Sequence, residues 1–136
     1  MEFRVIEHTA DVGVEVKADS LSELFEGTAL AMTSLMVDTS RVGKSVTRNV
    51  ELEADDLDEL MFMWLNEILY IVNTEEIIFC EFSVDVNGNR LEGSMRGEPL
   101  DFSKHEIKDE IKAATYHELT VKREGELWEV RVIFDV

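Results

Sequence analysis

The chain has 136 residues, with 30 acidic against 13 basic and a formal net charge of −17 at pH 7. Hydrophobic residues make up 45%, with one Pro and seven Gly, which excludes a disordered chain and leaves enough material for one domain, residues 1–136, with its own core. The charge repels phosphate backbones and disfavours direct, stable nucleic-acid binding, and no apolar run nears the roughly 20 residues of a membrane span.

With no signal-peptide pattern at the start either, the expectation is a soluble, cytoplasmic protein without membrane contact. Phe3 to Glu7 alternates weakly and predicts a short first strand. A polar knot follows, His8-Thr9-Ala10-Asp11, and leads into a strand running to Lys17. In that strand Val12, Val14 and Val16 face one way and Asp11, Gly13 and Glu15 the other. Ser20 is a good helix N-cap, with Glu23 three residues on. Leu21, Leu24, Phe25, Thr28, Met32, Leu35 and Met36 recur at three- and four-residue steps, the pattern of a helix lying on a sheet. Asp38 to Gly43 reads as a turn and Ser45 to Ala54 as a strand. Arg41, Lys44 and Arg48 make only a thin basic cluster.

Asp55 or Asp56 caps a second helix, whose acidic first turn through Asp58 and Glu59 suits the helix dipole. Its body, Leu57 to Val72, is apolar nearly all round and predicts burial on more than one side; its methionines read as core rather than as an adaptable binding face. Ile77 to Val86 is a strand carrying Cys80. A single cysteine excludes an internal disulfide and a zinc site of several thiolates, and Ile78, Phe79 and Phe82 predict a buried thiol. Asn87-Gly88 signals a type I′ hairpin, and Asn89 to Arg96 returns. Leu100 to Lys108 is a polar loop with His105. Glu110 to Thr115 is ambiguous, Tyr116 to Lys122 a strand, Glu124-Gly125-Glu126 a hairpin turn, and Leu127 to Val136 the last strand. About seven strands and two main helices, mostly hairpin-linked, predict an α+β fold in which the helices cover a largely antiparallel sheet.

No glycine-rich phosphate loop, zinc motif or nucleophile turn is present. His8, His105 and His117 are far apart, and each reads first as a satisfied structural residue. What remains is a carboxylate pair. In the last strand Trp128, Val130, Val132 and Phe134 share one face and Asp135 lies on the other. If this strand pairs antiparallel with Val12–Val16, Asp11 and Asp135 meet at one edge, one residue from the terminal carboxylate of Val136. Like carboxylates repel, and a hard divalent cation such as calcium or magnesium relieves that through oxygen ligands. Equally, Asp11 can make an Asx-type turn, and Asp135 can be a frayed terminal charge.

The opening His8-Thr9-Ala10-Asp11, the segment Ile111-Lys112-Ala113-Ala114-Thr115-Tyr116-His117 and the ending Phe134-Asp135-Val136 together resemble the archease family, over the whole chain. The resemblance implies a small α+β protein that is no enzyme itself. It implies instead a protein cofactor of the RtcB-type RNA ligase, which joins tRNA halves during splicing with GTP and a metal. The cofactor would promote guanylylation of the ligase, allow multiple turnover and broaden nucleotide use. It also implies a bound divalent cation, calcium, held by Asp11, Asp135 and the terminal carboxylate of Val136. His8, Lys112 and His117 belong to the motifs and are candidates for a partner surface; the plainer reading gives Lys112 an ion pair with nearby acid and packs His117. The alternative function is a general chaperone or modulator of RNA-processing enzymes, which needs an exposed apolar patch. A metal-dependent hydrolase ranks behind both, because His8 is the one evident general base.

Overall fold

Two strands from opposite ends of the chain pair antiparallel and build the centre of a sheet. The computed structural model describes residues 1–7 and 11–136, without the side chain of Glu7. Strand β2, Asp11–Ala18, pairs along its length with β8, Leu127–Asp135. Val12, Val14 and Val16 stand opposite Phe134, Val132 and Val130, and all six are buried. The alternation of the sequence is therefore one continuous apolar face. β1, Glu2–Glu7, flanks β2. The two-residue β6, Ala113–Ala114, and β7, Thr120–Glu124, both pair with β8 on its other side. The register brings Gly13 against β8, where a Cβ would stand 2.8 Å from the Val132 carbonyl oxygen and 2.9 Å from Ile133 Cδ1. Only glycine allows that approach.

The remaining strands form a second antiparallel sheet of order β3-β5-β4, from β3, Val46–Glu53, β4, Ile77–Asn87, and β5, Arg90–Pro99. The antiparallel α+β expectation holds, with its strands divided between two sheets. Two helices join them. Helix α1, Leu21–Met36, is capped by Ser20, whose hydroxyl accepts from the Glu23 N–H, and α2, Leu57–Glu75, by Asp56, which accepts from the Glu59 N–H. Each helix touches strands of both sheets. Trp64 of α2 is fully buried and donates its indole N–H to the Phe25 carbonyl of α1 at 3.0 Å. Met61 is buried as well, whereas Met63 is only half-buried, so the core reading of the α2 methionines holds for the first of them. On the open side of β4, the N–H groups of Val84 and Val86 donate to Glu26 and Ser22 of α1, at 2.7 and 2.9 Å.

Local departures from the expected pattern have local causes. The β4–β5 turn is Gly88-Asn89 rather than Asn87-Gly88. Gly88 takes φ +63° at the first central position, as a type II′ turn requires. Asn89 is held there: its amide donates to the Asp55 carbonyl and its carbonyl accepts from Ala54. Tyr116 to Leu119 is a turn, closed by the Leu119 N–H on the Tyr116 carbonyl with Glu118 at φ +56°, so the expected strand there begins only at Thr120. Asp38 to Gly43 contains a 3-10 turn, Thr39–Arg41. Cys80 is the extra residue of a bulge in β4 and is partly buried, which pushes its thiol pKa up.

His105 is almost wholly buried and structural. Its Nδ1 accepts from the Asp101 N–H at 3.0 Å, so the proton lies on Nε2, which donates to Glu98 at 2.8 Å. Glu98 also accepts from the Lys104 ammonium and from the Gly43 N–H. This clamp fastens the 100–108 loop to the turn after α1. Lys104 first, then Gly43 and His105, hold the Glu98 carboxyl down to about 2, below its ordinary 4.5. A carboxyl lowered on folding stabilises above its unfolded value and loses that contribution as pH falls through its folded one. The stability advantage of the wild-type protein over Glu98→Gln is therefore expected to be level from neutral pH to about 5 and to shrink toward pH 2. Chemical denaturation at a series of pH values checks this; a difference independent of pH would show that the charge of Glu98 is not what the clamp uses.

Candidate functional site

Asp11 opens β2 and Asp135 closes β8, and the register sets them directly opposite one another. Opposite residues of an antiparallel pair point to the same face, with Cβ atoms about 4.5–5.5 Å apart. The face is the one away from the valines. On the far side of β8, Asp135 stands opposite Ala113 of β6, and its carbonyl accepts from the Lys112 N–H at 2.9 Å. Thr115 adds two bonds to the Ile133 carbonyl, from its N–H and its hydroxyl. The end of β8 is thus gripped between two segments that are remote in sequence.

Two buried side-chain polar atoms lack a hydrogen-bond partner among the described residues, Asp11 Oδ1 and Arg131 Nε. A carboxylate oxygen removed from water without a donor is costly, and a second carboxylate facing it adds repulsion. Oxygen donors with unmet negative charge are what a hard cation takes. The residues present therefore fit a divalent ion of the calcium or magnesium kind. Among the described residues, no three His, Cys, Asp or Glu side chains converge. Asp11 and Asp135 form a pair, with Val136 next to Asp135 and 43% exposed.

The other motif residues are placed variously. His8 lies outside the described residues, as do Thr9 and Ala10. Lys112 is exposed, contributes its backbone to Asp135 and makes no ion pair among the described residues. His117 is exposed rather than packed, with Nε2 3.9 Å from a carboxylate oxygen of Glu118. Between them, Tyr116 packs against Phe62 of α2 with ring centroids 4.0 Å apart and the rings tilted by 45°.

Sequence reasoning missed the residue that holds this segment. Asn66, on α2, presents its amide to β6 as another strand would: Oδ1 accepts from the Ala114 N–H at 3.0 Å and Nδ2 donates to the Ala114 carbonyl at 3.1 Å. Asp58 does the same for β7, accepting from the Val121 N–H at 2.7 Å. The signal for Asn66 was an amide, a poor helix former, inside an otherwise apolar helix. Asp58 was read only as a charge suited to the helix dipole.

Comparison with known proteins follows the same lines. A family model described as "Archease protein family (MTH1598/TM1083)" matches residues 3–136. "Protein archease" of Pyrococcus abyssi is 40% identical over 121 residues, covering 86% of this chain and 85% of its own. "Protein archease" of Sulfurisphaera tokodaii is 34% identical over 137 residues, covering 99% of each chain. The solution structure of protein 1598 of Methanobacterium thermoautotrophicum superposes with a TM-score of 0.88 at 38% identity, covering 98% of both chains. A Thermotoga maritima protein, described as an archease and possible chaperone, shares the fold with a TM-score of 0.71 at 24% identity, over 96% of this chain and 94% of that one.

Asn66→Ala leaves the N–H and carbonyl of Ala114, itself 2% exposed, without partners. The expected cost is about 1–3 kcal/mol of stability, with faster amide exchange at Ala114 and Lys112. Denaturation and hydrogen exchange measure both, and unchanged exchange would mean that β6 is held by other contacts.

Proposed function

The chain belongs to the archease family, and from that premise we propose that it is a non-catalytic activator of an RtcB-type tRNA-splicing RNA ligase. In this reading it promotes guanylylation of the ligase, permits multiple turnover and broadens nucleotide use. Asp11, Asp135 and the terminal carboxylate of Val136 would hold a divalent cation, calcium or a similar hard ion. The observation that carries the proposal is the pairing of Asp11 with Asp135, with one Asp11 oxygen buried and unpartnered among the described residues. When bound, the ion supplies positive charge that cancels the repulsion at this edge and orders the ends of β2 and β8. Val136 is half-exposed beside that edge, and the motif residues Lys112, whose N–H bonds the Asp135 carbonyl, and His117, five residues further on, are exposed, as residues meeting a partner would be.

The charge supports a protein partner rather than RNA. A ligase that holds RNA is basic around its active site, so a chain of net charge −17 is steered toward it and away from phosphate. The reading gives the chain no stable RNA binding of its own and no reaction. A general chaperone, as in the description of the Thermotoga maritima protein, would need a broad apolar surface, whereas the exposed large apolar side chains among the described residues are the narrow strip of Met1, Phe3 and Val5 and single residues elsewhere.

Asp11→Ala is expected to fold and to abolish stimulation of ligase guanylylation in single- and multiple-turnover assays; a folded and fully stimulatory variant would remove the metal role of Asp11. Calcium that binds only the folded state should stabilise it by roughly 2.7 kcal/mol at a hundred-fold excess over its dissociation constant. Melting temperatures equal in calcium and in chelator would argue against a useful site. Extending the chain beyond Val136 turns its carboxylate into an amide and is expected to weaken calcium binding and stimulation more than an N-terminal tag does. Equal calcium affinity and equal stimulation would confine the site to the two aspartates.

A further inference from the structure

The outer edges of the two sheets are treated unequally. The open side of β4 is closed by Ser22 and Glu26, and those of β6 and β7 by Asn66 and Asp58. β3 is open but guarded, with Thr47, Asn49, Glu51 and Glu53 all polar and exposed. β1 is different. It pairs only with β2 among the described residues, in unbroken register from Glu2 to Glu7, with neither a proline nor a bulge to blunt it. Phe3 and Val5 stand opposite Val16 and Val14 and so share the apolar face of the core. Val16 and Val14 are completely buried, whereas Phe3 and Val5 are 40% and 43% exposed. Met1 extends this strip over α1, at the border of a hollow of about 280 Å³ whose acidic wall is Glu23 and Glu26, Glu81 beside them being already paired with Lys44 and Arg96.

We propose that β1 is a docking edge for an extended segment of a basic protein. The segment adds a strand to the five-stranded sheet through main-chain hydrogen bonds. It lays alternate apolar side chains beside Phe3 and Val5 and sets lysine or arginine against the acidic wall. Charge selects this occupant over a second copy of the chain, because two molecules of −17 repel one another while a basic partner is attracted. The docking edge does not depend on the cation at Asp11 and Asp135, so either can fail without the other.

The probe is a short capped peptide alternating lysine and valine, titrated into isotope-labelled protein while backbone amide shifts and exchange are followed. The expected result is saturable binding, with shifts and slowed exchange centred on Glu2–Glu7. A peptide N-methylated at the amides that would face β1 should bind about tenfold more weakly, as should wild-type peptide to the Phe3→Thr, Val5→Thr double variant, which keeps strand-forming side chains and loses the apolar strip. Undiminished binding of the N-methylated peptide, or shifts spread over the acidic surface, would reduce the effect to unspecific charge and overturn the proposal. Association of the protein with itself through β1 in the absence of peptide would assign the edge to a second copy. Absence of binding would overturn it as well.

Discussion

The antiparallel pairing of β2 with β8 is the constraint on which the rest depends. It joins segments more than a hundred residues apart and buries six apolar side chains on one face. The same register fixes Gly13 against the β8 backbone and brings two aspartates face to face at its end. A one-residue slip would turn every valine outward and separate the aspartates. Core packing and the candidate site are therefore specified by a single register, and a change that loosens one disturbs the other.

Around that pair, the helices act as more than a hydrophobic layer. Ser22, Glu26, Asp58 and Asn66 each meet a backbone group that the strands leave unpaired. Unmet buried backbone groups cost about as much as a lost hydrogen bond, so these polar positions on otherwise apolar helices are structural necessities. β6, with only two residues, would scarcely be a strand without Asn66, and β6 is what steadies Asp135 from its outer side. The support of the site thus comes from a helix that never touches the paired aspartates in sequence or motif.

The amino-acid sequence made the β2–β8 partnership legible because both strands alternate cleanly and each carries an aspartate at the end where they meet. Both helices were legible from their period and caps, Ser20 and Asp56. The division into two sheets was not, because hairpin signals describe neighbours and say nothing about which hairpin joins which sheet. The turn around Asn87-Gly88-Asn89 was misjudged by one residue because Asn and Gly both tolerate turn geometry. The deciding bonds come from Ala54 and Asp55, which a local reading leaves out. Asn66 and the Glu98–His105 clamp were hidden for the same reason: a side chain that replaces a strand or fastens a loop leaves no periodic trace. The metal reading of Asp11, Asp135 and Val136 owed its precision to family resemblance, since spacing alone left an Asx turn and a frayed end equally open.

The position of β8 has a consequence for how the molecule is made. The three-stranded sheet draws only on residues 46–99, consecutive in the chain, and its strands can pair as soon as Pro99 is available. The five-stranded sheet has as its central strand the last in chain order, β8, between β2 and the β6–β7 flank. Until β8 arrives, β2 is paired with β1 on one side and open on the other, and β6 and β7 have nothing to pair with. Contact order therefore favours early pairing of the three middle strands and late closure of the larger sheet around β8. That interval is when a nascent chain of this kind is most exposed to wrong partners, and its large negative charge is a defence that operates before the fold exists.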